Sequence, residues 1–119
     1  MKALLDTNII IDAINGRNDA KVVLGSYDPH ISILTYIEVL AGIDKHGHGD
    51  AVKQGLSAFT ILGLDKPIGE LAAKVRTEKK LKLPDAIIYA TAKEHGILLI
   101  TRDTKSFSKD DPQIRVPYI

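Results

Sequence analysis

The chain has 119 residues, with 16 lysines and arginines against 15 aspartates and glutamates and no cysteine. This length suits one domain, spanning 1–119, whose core is large enough to fold without disulfides or a structural metal. The formal charge of +1 excludes a protein that holds duplex DNA by bulk positive charge, and the lack of cysteine excludes thiol catalysis and cysteine-ligated metals.

Short apolar runs alternate with longer segments of helical periodicity, a pattern typical of a parallel sheet covered by helices. In chain order we predict a strand at 3–5, helices at 7–15 and 19–24, a strand at 30–33, helices at 35–43 and 50–58, a strand at 59–62, helices at 68–81 and 84–95, and strands at 97–101 and 115–116. We expect helical segments to end at the glycines that follow them, which are Gly16, Gly25, Gly47 and Gly96. The predicted fold class is α/β, a three-layer α/β/α sandwich with a central, mostly parallel sheet of about five strands.

Segments for export or membrane insertion are not apparent in the sequence. The apolar run after Lys2 is too short for a secretory signal. No stretch approaches the roughly 18 apolar residues of a membrane span. We therefore expect a cytoplasmic protein that does not contact membranes.

Four acidic residues stand where a domain of this kind usually has apolar side chains. Asp6 ends the first predicted strand, Asp103 follows the fourth, Glu38 lies within an apolar helix, and Asp85 opens the most apolar helix. The carboxyl ends of parallel strands and the first turns of the following helices converge on one edge of the sheet. The four carboxylates are therefore expected to share a pocket.

Each acid also has a structural explanation. Asp6 can cap the helix that follows it, Asp85 can favour the helix dipole, and Asp103 can close a turn. Thr35 and Glu38 have the spacing of a capping box. These explanations remain open for each residue alone, but four such placements together favour a common site.

Clustered carboxylates need a cation. Two of them about 4 Å apart repel by roughly 4 kcal/mol at an effective dielectric constant near 20, which is a large fraction of the stability of a small domain. Oxygen ligands without histidine or cysteine favour Mg²⁺ or Mn²⁺ over zinc or copper. Such an ion can polarise a phosphodiester and activate the attacking water.

Four segments together resemble the PIN-domain ribonucleases, in particular the VapC toxins of VapBC toxin–antitoxin pairs. They are residues 4–8 (LLDTN), 35–42 (TYIEVLAG), 83–92 (LPDAIIYATA) and 99–107 (LITRDTKSF). The resemblance runs over essentially the whole chain in the order of the family. It implies a divalent-metal-dependent endoribonuclease that leaves a 5′-phosphate and a 3′-hydroxyl, with Mg²⁺ or Mn²⁺ as cofactor.

The resemblance also assigns residues. Asp6, Glu38 and Asp85 match the three acids that define the family and hold one or two divalent ions, and Asp103 matches a fourth, more variable acid. Asn8 and Thr101 match positions that support the site. Many VapC-like chains carry the fourth acid directly before a phenylalanine, whereas here Asp103 stands two residues after Thr101, a form also found in PIN domains.

The resemblance implies partners as well: an RNA substrate, a VapB-like antitoxin lying in a groove near the acids, and a second copy of the chain in a homodimer. Candidates for the dimer contact are the apolar residues Ile10, Ile11, Ile14 and Ile37, which can equally belong to the core.

Basic residues are densest just before Asp85. Candidates for RNA binding are Arg76, Lys79, Lys80 and Lys82, with Arg102 and Lys105 near the fourth acid. They are interpreted either as a guide for the RNA backbone or as a solvated helix end whose cations suit the helix dipole.

Other functions have less support. His46 and His48 are separated by one residue in a turn-like segment without a third ligand, so we expect a loop. A receiver-like signalling module would need an acid pair after the first strand and a Lys-Pro late in the chain, whereas Lys66 and Pro67 lie in the middle. A PIN-domain nuclease that processes housekeeping RNA without an antitoxin remains the alternative with the same chemistry.

Overall fold

The computed structural model describes residues 1–44 and 49–119. Within them the strands and helices are, in chain order, β1 (Lys2–Leu5), α1 (Thr7–Ile14), α2 (Asn18–Ser26), β2 (Asp28–Ser32), α3 (Ile33–Asp44), α4 (Gly49–Leu56), β3 (Thr60–Leu62), α5 (Lys66–Lys79), α6 (Leu83–Glu94), β4 (Leu98–Ile100) and β5 (Ile114–Arg115). The predicted loop with His46 and His48, and the predicted helix end at Gly47, lie outside the described residues.

The strands form one parallel sheet in the order β3-β2-β1-β4-β5. On β1, the central strand, Ala3 pairs with Pro29 on one side and with Leu98 on the other. The chain runs from β1 outward to β3 and then returns to β4 on the opposite side of β1. Ligands of open α/β sheets bind where the strand order reverses in this way, so the carboxyl ends of β1 and β4 are the expected place for a site.

Side chains of the central strand alternate between two separate cores. Leu4 packs with residues of α5 and α6 on one face, whereas Ala3 and Leu5 pack with residues of α1, α2 and α3 on the other. Leu4 and Leu5 are both fully buried, and burial of a leucine side chain contributes roughly 1.5–3 kcal/mol. The predicted three-layer α/β/α sandwich with a mostly parallel five-stranded sheet is confirmed.

Helix ends agree with the glycine pattern at two positions. Gly16 and Gly96 have φ of +86° and +66° after α1 and α6, the left-handed conformation that glycine adopts most easily. The prediction at Gly25 is wrong, because α2 continues to Ser26, whose hydroxyl donates to the Val22 carbonyl at 2.7 Å. Helix α5 has no such glycine: Lys80, the residue that follows it, adopts the left-handed conformation with φ of 55°.

Five residues predicted as strand lie outside the strands, namely Ile33, Phe59, Ile97, Thr101 and Val116. Ile33 is the first residue of α3, because the Ser32 hydroxyl accepts a hydrogen bond from the Leu34 amide at 3.1 Å, as a helix cap does. Thr101 follows β4 but still donates its amide to the Arg115 carbonyl at 3.0 Å. None of the described helices has the length and apolar character needed to cross a bilayer.

Candidate active site

Acidic side chains meet at the carboxyl edge of the sheet, beside β1 and β4. Asp6 follows β1, Asp103 lies just beyond β4, and Asp85 is the third residue of α6. The charges of Asp85 and Asp103 both raise the pKa of Asp6, and the charge of Glu38 raises the pKa of Asp85. The topology therefore brings Asp6, Asp85 and Asp103 within electrostatic reach of one another, and Glu38 within reach of Asp85.

Asp6 is the most buried of these acids, with 5% of its surface exposed. One carboxylate oxygen accepts from the Thr101 hydroxyl at 2.7 Å and from the Asn8 amide at 3.2 Å, and the other accepts from the Thr7 backbone amide at 2.8 Å. Burial raises the pKa of Asp6 to about 6, although the hydrogen bonds from Thr101 and Thr7 act to lower it. At neutral pH the site therefore contains a buried negative charge.

Asn8 and Thr101, predicted as supporting residues, both contact Asp6 and each other. Thr101 is fully buried. Its hydroxyl also accepts from the Asp103 backbone amide at 3.0 Å and from the Asn8 side-chain amide at 3.2 Å. The Asn8 side-chain oxygen Oδ1 accepts from the Arg102 backbone amide at 3.3 Å. These bonds join the ends of β1 and β4 directly at the carboxylate.

Glu38 is oriented by Thr7, a contact that the sequence analysis missed, and Thr7 in turn contacts Thr35. The Thr7 hydroxyl donates to Glu38 Oε1 at 2.9 Å and lies 3.0 Å from the Thr35 hydroxyl, which is buried. The alternative explanation of Thr35 and Glu38 as a capping box is wrong, because α3 begins at Ile33 and Thr35 is its third residue. The spacing of Thr35 and Glu38 instead places them on one helical face, where both point towards Thr7.

Asp85 and Asp103 lie at the same carboxyl edge of the sheet and are only partly buried. Burial raises the pKa of Asp85 first, the charge of Asp103 raises it further, and a hydrogen bond from the Ser106 side chain and the charge of Lys82 oppose the rise. One Asp103 oxygen accepts from the Lys105 and Ser106 amides, both at 3.1 Å. The sequence analysis did not single out Ser106, whose contact with Asp85 depends on tertiary structure.

The structural explanations hold for some of the acids alongside their place in the site. Asp6 caps α1, Asp85 lies in the first turn of α6, and Asp103 closes a turn. In Asp6 the oxygen that caps the helix differs from the one that accepts from Thr101 and Asn8, so one carboxylate serves both roles.

The donor set fits a hard divalent cation. It consists of carboxylate oxygens at the carboxyl edge of the sheet. One of these carboxylates, Asp6, is buried, so its ionisation is costly without a positive charge nearby. Among the described residues, no three carboxylate or imidazole side chains stand together as a ready ion cage. Mg²⁺ keeps several waters and binds through one or two protein carboxylates, so the chemistry of these side chains suits such an ion.

Two of the predicted RNA-binding cations already have protein partners. Lys79 lies 3.3 Å from the Asp111 carboxylate, and Arg102 forms two hydrogen bonds to Asp12 at 2.6 and 3.0 Å. The other four candidates are exposed, namely Arg76, Lys80, Lys82 and Lys105. RNA contact by any of the six stays a prediction.

The family model described as PIN domain matches residues 3–111 of this chain. The chain belongs to the PIN-domain family. Toxin FitB of Neisseria gonorrhoeae is 30% identical, with 97% of each chain covered, and Ribonuclease VapC4 of Mycobacterium tuberculosis is 28% identical, with 95% of each covered. A solved structure described as a toxin–antitoxin complex from Klebsiella pneumoniae contains a chain that is 43% identical, with a TM-score of 0.93 and 98% of both chains covered.

Membership of the PIN-domain family supports a nuclease over the receiver-like module. The apolar residues that are candidates for the dimer contact differ in how far they are exposed. Of these candidates Ile10 is 2% exposed and belongs to the core, which is the alternative given for it, whereas Ile11, Ile14 and Ile37 are 40%, 43% and 55% exposed.

Proposed function

We propose that this chain is a divalent-metal-dependent endoribonuclease and the toxin of a toxin–antitoxin pair, acting in the cytoplasm. The observation that carries the proposal is the buried Asp6 carboxylate, whose pKa is raised by burial and further by Asp85 and Asp103. The fold and family of the chain, and its similarity to proteins named as a ribonuclease and as toxins, support the same conclusion.

The side chains that would hold the cation are Asp6, Glu38, Asp85 and Asp103, with Mg²⁺ or Mn²⁺ as the ion. When bound, a divalent ion supplies positive charge that attracts the scissile phosphate and makes water a better nucleophile.

The surrounding side chains hold these carboxylates in place. Thr101 and Asn8 fix the rotamer of Asp6 through hydrogen bonds at 2.7 and 3.2 Å. The Thr7 hydroxyl fixes Glu38 at 2.9 Å. Such bonds keep carboxylates that repel one another in one arrangement before RNA arrives, which is the preorganisation that phosphoryl chemistry requires.

An apolar groove beside α1 offers a place for the antitoxin. It has a volume of about 300 Å³ and is lined mainly by apolar residues of α1, α2, α4 and the segment after α4, namely Ile10, Ala13, Ile14, Leu24, Val52 and Phe59. An amphipathic helix binds such a groove through its apolar face. Ile10 lies about one helical turn from Asp6, so a partner seated here can also reach the acidic edge.

The RNA backbone and a second copy of the chain complete the proposed partners. Exposed Lys80, Lys82 and Lys105 lie near the acids in sequence and are proposed to contact phosphates. Ile37, which is 55% exposed beside Glu38, is proposed as part of a homodimer contact.

The proposal is tested in cells and with the purified protein. Expression of the chain should stop growth and degrade RNA, and co-expression of the adjacent small open reading frame should restore growth. Asp6→Asn should abolish both effects, whereas the control Asp19→Asn, which changes an exposed aspartate on α2, should not. Growth arrest by Asp6→Asn equal to that of the parent would refute the proposal, and RNA cleavage without growth arrest would favour the housekeeping nuclease.

A further inference from the structure

Asp12 is a buried carboxylate outside the acidic edge. It lies on α1, is 8% exposed, and accepts from Arg102 Nε at 2.6 Å and from Arg102 Nη2 at 3.0 Å. The hydrogen bonds from Arg102 hold the pKa of Asp12 below its ordinary value, so the pair is ionic at neutral pH. Two parallel bonds between arginine and a carboxylate fix both groups in orientation as well as distance.

Arg102 connects this pair to the acids, because it lies between Thr101 and Asp103. Its backbone amide donates to Asn8 at 3.3 Å. The Thr101 hydroxyl holds Asp6 at 2.7 Å and accepts from the Asp103 amide at 3.0 Å. A displacement of Arg102 would therefore move both the hydrogen-bond donor of Asp6 and the Asp103 carboxylate.

Tyr118 and Arg17 enclose Asp12 from the other side. The Tyr118 hydroxyl donates to Asp12 Oδ2 at 2.8 Å, and the Arg17 guanidinium lies 4.3 Å from the centre of the Tyr118 ring. Arg17 Nη1 is also 3.7 Å from Asp12 Oδ2. The carboxylate thus has its hydrogen bonds satisfied on both oxygens and little freedom to rotate away from Arg102.

We propose that Asp12 is a positioning residue for the candidate site: it holds Arg102, and through Arg102 it sets the position of the segment that carries Thr101 and Asp103. Tyr118 keeps the Asp12 carboxylate in the rotamer that makes both bonds. The effect on turnover rests on the proposed nuclease function, whereas the effect on the segment does not. The role assigned to Arg102 here is structural and differs from direct contact with RNA.

The first test uses the metal-free protein and the backbone amide signals of Asp103, Lys105 and Ser106 in a ¹⁵N NMR spectrum. These amides donate to Thr101 and to Asp103, so their signals report on the segment itself. Asp12→Asn should shift or broaden all three. The milder Tyr118→Phe should shift them in the same direction by less.

A matched control for these variants is Asp19→Asn. Asp19 is exposed, and its Oδ2 atom lies 3.6 Å from Arg17 Nε. Among the described residues, the ion pairs and hydrogen bonds of Arg102 and Tyr118 involve Asp12 and not Asp19. It should leave the three amide signals unchanged. Unchanged signals in both Asp12→Asn and Tyr118→Phe would overturn the proposal, whether or not the protein cleaves RNA.

The second test separates positioning from RNA contact by steady-state cleavage kinetics. Asp12→Asn should lower kcat about tenfold, the lower end of the effect of residues that orient metal ligands, with KM for RNA little changed. Arg102→Lys, which keeps the charge but loses the two-bond geometry, should show the same pattern. An increase in KM with unchanged kcat in both variants would overturn the proposal and assign Arg102 to RNA binding. A parent without cleavage activity would refute the proposed function, and the amide signals would still decide the role of Asp12.

Discussion

Replacement of Asp6 by asparagine should stabilise the metal-free protein at neutral pH. Burial raises the pKa of Asp6 from 3.8 to about 6, so the folded chain retains a proton that the unfolded chain loses between those values. Stability from the neutral carboxyl is therefore complete below pH 3.8 and is lost as the pH rises through about 6. Each unit of difference between the folded and unfolded pKa corresponds to about 1.4 kcal/mol, so ionised Asp6 lowers the free energy of unfolding by about 3 kcal/mol at neutral pH.

Urea unfolding with EDTA present measures this cost directly. Asparagine is close in shape to the neutral carboxyl, so its own effect on hydrogen bonding is nearly independent of pH. The difference in unfolding free energy between Asp6→Asn and the parent should increase by about 2 kcal/mol from pH 4.5 to pH 7.5. A difference that is the same at both pH values would refute the assignment of the buried charge to Asp6.

Three further predictions concern the surroundings of the acids. Thr7→Val removes the hydroxyl that donates to Glu38 and should lower kcat about tenfold, measured by steady-state cleavage; an unchanged kcat would contradict the orienting role. Lys80→Gln combined with Lys105→Gln should weaken RNA binding several-fold without changing the melting temperature, measured by fluorescence anisotropy in Ca²⁺, and equal binding by parent and variant would remove these cations from the interface. Ile14→Glu places a charge in the apolar groove and should weaken antitoxin binding by more than about 1 kcal/mol, measured by calorimetry, whereas an unchanged affinity would locate the antitoxin elsewhere.

The sequence was sufficient for the architecture because each element has its own local signal. Leu4 and Leu5 lie in a short apolar run between polar residues, and the segment 84–95 is apolar over most of its circumference, so strand and helix are distinguished by length and pattern alone. The order of the elements then leaves few ways to form a parallel sheet. The carboxyl edge of that sheet is fixed by the same argument, which is why Asp6, Glu38, Asp85 and Asp103 are predicted to meet there.

The sequence was insufficient where a contact joins distant parts of the chain. Thr7 and Thr35 are 28 residues apart, and Asp12 and Arg102 are 90 apart, so no local pattern links them. The sequence predicts Arg102 as an RNA contact because its charge is visible in the sequence and its partner Asp12 is not. Gly25 shows the complementary limit, because a side-chain hydrogen bond from Ser26 extends the helix beyond a residue that usually ends one.

The measurement that tests the central claim most directly is a Mg²⁺ titration of RNA cleavage by the purified protein, with the ends of the products determined by sequencing. Cleavage should require the ion, stop with EDTA, yield 5′-phosphate ends, and be lost in Asp85→Asn but not in Asp110→Asn, which changes an exposed aspartate. Cleavage that persists in EDTA, or that Asp85→Asn leaves unchanged, would contradict the account.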